Sequence, residues 1–289
     1  MRLNTPMFVS LQPVFKWPGG KRKLLPSISR FYPVRFDRYF EPFVGAGAVW
    51  LDLHPRRATI SDANYEVITT YRVIREEVNA LLDTLRIFQY EILHTEDQKA
   101  YYYGLRDEYE PRTRVQVAAR FLLLNRLGFN GLYRVNKQGD FNVPFGQEQK
   151  EAFIPFGKIA LLSEYLNSID LTLRQADYTF IREEAKPGDF VYLDPPYHRV
   201  FTQYTPEGFT EQDQAQVAEL FAELDERGVF VFLSNSDTPL IRELYSRWRM
   251  ETLSLNYRIG GKGWSDEEKK ASEVLVIGKS LEKHLERQK

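Results

Sequence analysis

The sequence predicts an α/β fold, a doubly wound and mostly parallel sheet that is interrupted by an inserted segment. Two observations predict it. Short apolar runs alternate with helical patterns near both ends of the chain, whereas the middle of the chain is mostly helical. Of the 289 residues, 43% are hydrophobic and 27% are charged, a globular composition that excludes a collagen-like or fully disordered chain.

The N-terminal part of the chain predicts two strands separated by a glycine turn and a helix. Residues 36–44 are predicted to form a short buried strand that breaks at 45–47 (Gly-Ala-Gly). A helix over 48–53 should follow. Residues 57–61 predict a second strand, which ends at Asp62.

The middle of the chain differs from both ends. Residues 65–109 have a helical pattern, and a further helix is predicted over 114–127. Residues 128–147 predict a β-hairpin, two short strands around an Asn-Lys-Gln-Gly-Asp turn. The segment 66–155 is therefore predicted to be an inserted helical and β-hairpin subdomain.

The alternation of strands and helices returns after Lys150. Strands are predicted over 170–175, 189–193, 229–233 and 273–277. Thr210 is predicted to cap a helix that has Asp213 at its third position, and Gly228 fits the position after the helix end. These elements join 1–65 in one predicted sheet domain, made of 1–65 and 156–289.

Several classes of site and location are excluded by what the chain does not contain. It has no Cys, so disulfides, thiolate catalysis and Cys-based zinc sites are excluded. Its four His are scattered singly, so no metal is expected. It has neither an apolar run of about 18 residues, as a membrane span needs, nor a signal peptide, so we expect no membrane contact and a cytoplasmic protein.

The charge of the chain is unevenly distributed. The formal net charge is −1, but residues 1–38 contain eight Lys or Arg and one Asp, and 112–150 contain seven basic and two acidic residues. Residues 206–230 contain seven acidic residues and one Arg. Such a division can present a positive surface to phosphates, although ordinary solvated helix faces would explain it equally well.

The glycine turn and Asp62 indicate a nucleoside-bearing cofactor. Glycines between a strand and a helix let a ligand lie against backbone N–H groups, and an acidic residue after the next strand commonly binds a ribose hydroxyl. The third glycine of the dinucleotide fingerprint is absent, since position 50 is Trp. A packing turn, with Asp62 as a helix cap, is the structural alternative.

The tetrapeptide Asp194-Pro195-Pro196-Tyr197 follows a predicted strand, at the sheet edge where α/β folds bind ligands. Prolines lack N–H donors, so their carbonyls remain available as acceptors. The Asp194 carboxylate and the Pro195 carbonyl beside an aromatic ring suit a planar group that carries an NH2. An Asp-capped proline turn with a surface Tyr is the alternative.

Together these motifs resemble those of the Dam-type DNA adenine N6-methyltransferases, which use S-adenosylmethionine and have a Rossmann-like methyltransferase sheet. The resemblance spans most of the chain and follows the family's order of motifs, but Pro18 replaces the usual Ala and 147–149 lacks the basic and aromatic residues common in the family. The similar segments are 16–21, 41–47, 62–64, 125–146, 194–197, 201–204, 208–209, 234–237 and 273–275.

The resemblance implies a role for each candidate residue. The catalytic residues would be Asp194, Pro195, Pro196 and Tyr197. The residues that bind S-adenosylmethionine would be Trp17, Lys21, Glu41, Phe43, Gly45, Gly47, Asp62 and Asp177. The residues that bind DNA would be Lys16, Asn130, Leu132, Arg134, Asn136 and Pro144.

The resemblance also implies the reaction and its partners. Double-stranded DNA would be methylated at adenine N6, within GATC, after the base rotates out of the helix. The basic residues 112, 114, 120, 126 and 137 would contact phosphates or remain solvated. A restriction endonuclease that acts on the same site is a further candidate partner, without direct contact.

Two other functions remain open from the sequence. One is methylation of guanine amines in structured RNA, because the tetrapeptide is shared with some RNA methyltransferases. The other is a DNA-binding protein without catalysis. A nicotinamide-dependent enzyme is disfavoured because the third glycine of the fingerprint is absent.

Overall fold

The computed structural model describes residues 11–198, 208–256 and 270–288. They contain one seven-stranded sheet in the order β3-β2-β1-β4-β5-β7-β6. The strands are β1 Tyr39–Glu41, β2 Arg57–Asp62, β3 Asp170–Gln175, β4 Phe190–Leu193, β5 Phe230–Ser236, β6 Arg249–Asn256 and β7 Lys270–Ile277. The first five are parallel, and β7 runs antiparallel to both β5 and β6. The predicted α/β sheet is confirmed.

Helices precede, connect and follow these strands. They are α1 Leu25–Ile28, α2 Ala48–Leu53, α3 Tyr65–Glu76, α4 Val78–His94, α5 Gln98–Asp107, α6 Arg114–Leu127, α7 Phe156–Ser168, α8 Ile181–Glu184, α9 Glu211–Glu226, α10 Pro239–Leu244 and α11 Lys279–Glu286. Helices α3 to α7 lie between β2 and β3 in the chain; α3 to α6 fall within the segment 66–155 apart from Tyr65, and α7 follows that segment. No helix in the described ranges is long and apolar enough to span a bilayer.

The sheet separates two hydrophobic clusters. In β4, Phe190 and Tyr192 pack into one cluster, and Val191 and Leu193 pack into the other, because successive side chains of a strand point to opposite faces. The first cluster includes the inserted helices, and the second includes α9. A strand buried on both faces is apolar throughout, which is the pattern that β4 shows.

The predicted strand over 36–44 is much shorter in the structure. Only Tyr39–Glu41 is strand. The next residue, Pro42, has no backbone N–H group to donate, so the hydrogen-bonded pairing of β1 with its two neighbouring strands does not continue through it. The chain then turns, and the Val44 backbone N–H donates to the Ser61 carbonyl at 2.9 Å.

The helical stretch over 65–109 is divided into three helices. Glu77 leaves helical geometry between α3 and α4, with φ −136° and ψ 35°. The Asp97 side chain accepts from the Ala100 backbone N–H at 2.8 Å and caps α5. The Asp97 side chain thus supplies the hydrogen-bond acceptor that a carbonyl of the preceding turn would supply in a continuous helix, and a new helix begins here.

The segment over 128–147 folds back on itself as predicted, but without regular strands. Antiparallel pairing is confined to two bridges, Gly128 with Phe145 and Val135 with Phe141. The turn Phe129–Gly131 interrupts the first arm, with Asn130 at φ 56°. We call residues 128–147 the recognition hairpin below, after the role that the sequence resemblance implies for them.

The C-terminal half matches the predicted helix ends and adds one strand. Thr210 and Asp213 form a capping box, and Gly228 adopts φ 85° after α9. The edge strand β6 was not predicted. Arg249 and Glu251 are charged, as edge strands often are, and they weaken the apolar signal.

Candidate active site

A cavity of about 580 Å³ lies at the carboxyl ends of β1, β2 and β4. Its wall includes most residues predicted to bind the cofactor and all four predicted catalytic residues. They are Trp17, Lys21, Glu41, Phe43, Gly47, Asp62, Asp177, Asp194, Pro195, Pro196 and Tyr197. The recognition hairpin contributes Tyr133, Val135 and Gly139 to the same wall. Volumes of this size are typical of sites for small organic ligands.

The glycine turn after β1 requires glycine for two reasons. Gly45 and Gly47 have φ of 45° and 70°, in the left-handed region where a Cβ causes strain. A Cβ on Gly45 would overlap the Trp17 indole, and one on Gly47 would overlap the Trp50 indole. Gly45 therefore lies under Trp17, next to the cavity.

Asp62 fastens the glycine turn to the end of β2. Its two carboxylate oxygens accept from the Gly45 and Asn64 backbone N–H groups at 3.0 and 2.9 Å. Burial raises the pKa of Asp62 to about 6, although these hydrogen bonds favour the ionised form. Asp62 thus holds the turn and also lines the cavity.

Glu41 is a buried carboxyl at the base of the cavity, 2% exposed. Its Oε2 accepts from the Tyr39 hydroxyl at 2.7 Å and from the Trp50 backbone N–H at 3.2 Å. Burial raises its pKa to about 8, and the nearby Asp194 raises it further, whereas both hydrogen bonds and Lys21 oppose the shift. Glu41 therefore titrates close to neutral pH.

Aromatic rings form the wall on the β3 side. Phe43 stacks on Tyr178 with ring centroids 5.1 Å apart, and Phe209 meets Phe43 edge-on at 6.3 Å. Asp177 lies exposed at this edge, and its side chain accepts from the Thr179 backbone N–H at 2.8 Å. Its position fits the predicted ligand role, and it also fits a purely structural role as the cap of the turn that follows β3.

Asp194 is the most heavily contacted acid of the cavity. Its Oδ2 lies 2.8 Å from the Lys21 ammonium, and its Oδ1 accepts from the Ser234 hydroxyl at 2.8 Å. Burial raises the pKa of Asp194, and the Lys21 charge opposes that shift. Lys21, which was expected on the cofactor side, therefore directly contacts Asp194, one of the predicted catalytic residues.

Tyr197 is fixed from two directions. Its hydroxyl donates to Glu273 Oε2 on β7 at 2.5 Å, and the Lys21 ammonium lies 4.6 Å from its ring centroid. Glu273 belongs to a segment similar to the family, but it was not among the predicted site residues. That motif was the signal that could have identified it. Residues 201–204, also in a similar segment, lie outside the described residues.

The predicted DNA-binding residues divide into two groups. Lys16, Asn130, Leu132 and Pro144 are exposed, and the Lys16 ammonium contacts the Asn130 carbonyl at 3.5 Å. Phe129 beside them is 50% exposed and was missed, because an aromatic residue in an apolar pattern predicts core. These residues form one exposed face of the recognition hairpin with Lys16.

The other two DNA-binding candidates are held within the recognition hairpin. The Arg134 guanidinium donates to the Asn142 side-chain and backbone oxygens at 2.6 and 3.0 Å. The Asn136 side chain bonds within the turn, to Asp140 and Gln138. Arg134 is therefore held in place by its own hairpin.

The basic residues expected near phosphates do not all face solvent. Arg120 donates to the carbonyls of Leu105 and Arg106, and Arg126 donates to that of Val14. Burial lowers the pKa of Arg126. Arg112, Arg114 and Lys137 are exposed, and Arg114 also pairs with Glu76 and Glu77.

Gly47→Ala tests the strain at the glycine turn. We expect it to lower the free energy of unfolding by more than about 1 kcal/mol, because the left-handed backbone and the Trp50 contact both oppose a Cβ. Gly104→Ala in α5 is the matched control. A Cβ there meets nothing within 4 Å, so it should stabilise by about 0.5–1 kcal/mol. Urea unfolding measures both changes, and equal stability of Gly47→Ala and the parent would contradict the expectation.

Comparison with known proteins identifies the family of this chain. The chain is 38% identical over 278 residues to the type II methyltransferase M1.LlaDCHI of Lactococcus lactis subsp. cremoris, covering 93% of this chain and 95% of that protein. It is 34% identical to the DNA adenine methylase of Escherichia coli K12, covering 91% and 94%. Type II methyltransferase M.MjaIII of Methanocaldococcus jannaschii is 31% identical, covering 88% and 95%. Residues 17–259 match the family model for D12 class N6 adenine-specific DNA methyltransferases. The chain belongs to this family and is an adenine-specific DNA methyltransferase.

Proposed function

We propose that this protein transfers a methyl group from S-adenosylmethionine to the N6 amine of an adenine that has rotated out of double-stranded DNA. One observation carries the proposal. The glycine turn with its acidic residues and the tetrapeptide with Asp194 line one continuous cavity of about 580 Å³. A methyl donor and a base bound there would be in contact, and alignment of two reactants accounts for much of catalysis.

The chemistry of the donor set fits S-adenosylmethionine. Phe43 offers a flat apolar face for its adenine, and Asp62 and Asp177 offer carboxylates for its ribose and base. Trp17, over Gly45, would cover the cofactor from the N-terminal side. The bound cofactor supplies a methyl group activated on a positively charged sulfonium. Glu41, when ionised, would stabilise that charge.

The tetrapeptide would bind the target base. Asp194 and the Pro195 carbonyl would accept the two protons of the adenine amine, and Tyr197 would stack on the ring. The amine lone pair is then released from the ring and directed at the methyl carbon. Bound S-adenosylmethionine would supply the methyl group, and Asp194 or solvent would accept the proton that the amine loses on methylation. An enzyme cannot reach this amine inside the duplex, so the base must first rotate out of the helix.

The recognition hairpin would read the DNA sequence from the major groove. Arg134 suits bidentate contact with guanine, and Leu132 suits contact with a thymine methyl. Asn130, Asn136 and Pro144 would complete the readout of GATC, and Lys16 would contact its outer guanine. The segment 66–155 is, on this proposal, the DNA-recognition subdomain. The sheet domain, 1–65 and 156–289, would bind the cofactor.

Two of the relatives are named type II methyltransferases. We infer from this that a restriction endonuclease which cuts the same site is a candidate partner in the cell, without direct contact. Methylation would then protect the host DNA. The match to an adenine-specific DNA family disfavours the RNA guanine alternative.

Asp194→Asn tests the catalytic role. The variant keeps the shape of the side chain but loses its charge, and we expect the methylation rate to fall by about 10²-fold or more with DNA binding retained. Asp170→Asn, at an exposed position of β3, is the control and should keep full activity. The measurement is tritiated methyl transfer with identification of the modified base. Undiminished transfer by Asp194→Asn, or label on cytosine, would overturn the proposal.

Arg134→Lys tests the sequence readout. Lysine keeps the charge but loses the bidentate geometry, so discrimination between GATC and a site with one changed base pair should fall by about 5- to 150-fold, equivalent to roughly 1–3 kcal/mol. Lys137→Ala in the exposed turn is the control and should weaken binding to all sequences alike. Equal labelling by the parent of duplexes with and without GATC would refute the site assignment.

The pH dependence of cofactor binding tests Glu41. Burial raises the pKa of Glu41 to about 8, so the carboxyl is neutral below that pH and negative above it. Affinity for the sulfonium should therefore rise as the pH increases from about 7 to 9, by several-fold relative to Glu41→Gln. The comparison with Glu41→Gln removes the opposing titration of the cofactor's own α-amino group. Calorimetry measures both profiles, and parallel profiles would contradict the role of Glu41.

A further inference from the structure

Gln214 is a buried polar side chain of α9 that contacts the catalytic tetrapeptide. It is 0% exposed, and its Nε2 donates to the Pro196 carbonyl at 2.7 Å. Its Oε1 accepts from Asn235 Nδ2 at 2.9 Å. A long amide buried this completely must satisfy both ends, and it does so between the tetrapeptide and β5.

Backbone groups fix the donor and the acceptor of each hydrogen bond in the series that links Pro196, Gln214 and Asn235. The backbone N–H groups of His198 and Ser236 can only donate, and both point at Asn235 Oδ1, at 3.3 and 2.8 Å. Asn235 Nδ2 must therefore face Gln214, and Gln214 Nε2 must face the Pro196 carbonyl, which can only accept. Reversing either amide would break the chain of donors and acceptors.

The two proline carbonyls of the tetrapeptide consequently differ. The Pro196 carbonyl already has a donor, which is Gln214. Among the residues that the structure describes, no donor contacts the carbonyl of Pro195. Since neither proline has a backbone N–H group to donate, the backbone path of this segment depends on the hydrogen bonds that its carbonyl groups accept.

We propose that Gln214 is a positioning residue for methyl transfer: by holding the Pro196 carbonyl against α9, it sets the path of the tetrapeptide so that the Pro195 carbonyl remains free for the target amine. The role of Pro195 rests on the proposed function above. Asn235 contributes indirectly, because its hydrogen bond to Gln214 fixes the orientation of the Gln214 amide. Gln214 itself contacts neither base nor cofactor.

Substitution by Glu or Met separates hydrogen bonding from packing. Glu keeps the shape and the bond from Asn235, but an ionised carboxylate cannot donate to the Pro196 carbonyl. A protonated Glu can make both bonds, and burial favours the protonated form. Met fills the same space with no donor at any pH.

The experiment is single-turnover methylation of a GATC duplex by the full chain at several pH values between about 6 and 9. Gln214→Met should lower the rate by roughly 10- to 100-fold at every pH, because small displacements of a reacting group have effects of this size. Gln214→Glu should be similarly slow near pH 9, and its rate relative to the parent should recover towards pH 6. The Kd of S-adenosylmethionine should change less than about twofold in both variants.

Two comparisons make the pH result specific. Other titrating groups lie near Gln214: Glu211 and Asp213 on α9, His198 and Asp194 on the loop after β4, and Asp237 after β5. They are common to parent and variant, so the ratio of the two rates removes their titration. Gln212→Glu, exposed on the same helix, adds a carboxylate without the buried contact and should follow the parent at every pH.

Each outcome decides the proposal. A Gln214→Met rate equal to that of the parent overturns it, as does a Gln214→Glu rate that stays low at all pH values while its melting temperature equals that of the parent. If Gln214→Met does not fold, the pH recovery of Gln214→Glu decides alone, because that variant keeps the shape and one of the bonds. Failure of the proposed function is distinguishable, since the parent itself would then transfer no methyl group.

Discussion

The pairing of β1 with β4 is the constraint on which the site depends. Tyr39 and Phe40 pair with Phe190 and Val191 in parallel, and between them the order of the sheet reverses direction along the chain. Segments that leave the carboxyl ends of such neighbouring strands diverge to opposite sides and leave a crevice between them. Here one strand continues into the glycine turn and the other into the tetrapeptide. Two motifs about 150 residues apart in the chain thus face one cavity.

The positive charge of Lys21 opposes the negative charges of the carboxyl groups of Glu41 and Asp194 in this cavity. Burial raises the pKa of both Glu41 and Asp194, and the negative charge of Asp194 raises the pKa of Glu41 further. The Lys21 ammonium, 3% exposed, pairs with Asp194 and lowers the pKa of both acids. Gly19, two residues before Lys21, has φ 73° in the left-handed region that favours glycine, and its carbonyl accepts a hydrogen bond from the Lys21 ammonium. A buried acid with one compensating cation can stay ionised and remain a hydrogen-bond acceptor.

Local signals predicted the parts of the fold that local interactions determine. The apolar run of β4, the capping box at Thr210 and the left-handed Gly228 all follow from nearest neighbours in the chain. The sequence could not show that Lys21 contacts Asp194, because that distance depends on the tertiary fold. It also could not show Gln214, since a Gln on a helix normally predicts an exposed face. Motif resemblance supplied the site residues that periodicity could not, and it was less informative for Phe129, whose exposure is set by the turn at Asn130.

The stacking of Trp17 on Tyr133, with ring centroids 4.8 Å apart, has a consequence for exchanging recognition segments between relatives. Trp17 also lies against Gly45, and the Lys16 backbone N–H donates to Asn125, so the segment that contains Lys16 and Trp17 contacts both the glycine turn and the inserted segment. A hairpin transplanted alone would lose its partner ring and would leave the Trp17 indole without its stacking surface. If the hairpin reads the DNA sequence as proposed, the smallest transferable unit of specificity is discontinuous, and it comprises the hairpin, the end of α6 and the segment from Lys16 to Lys21.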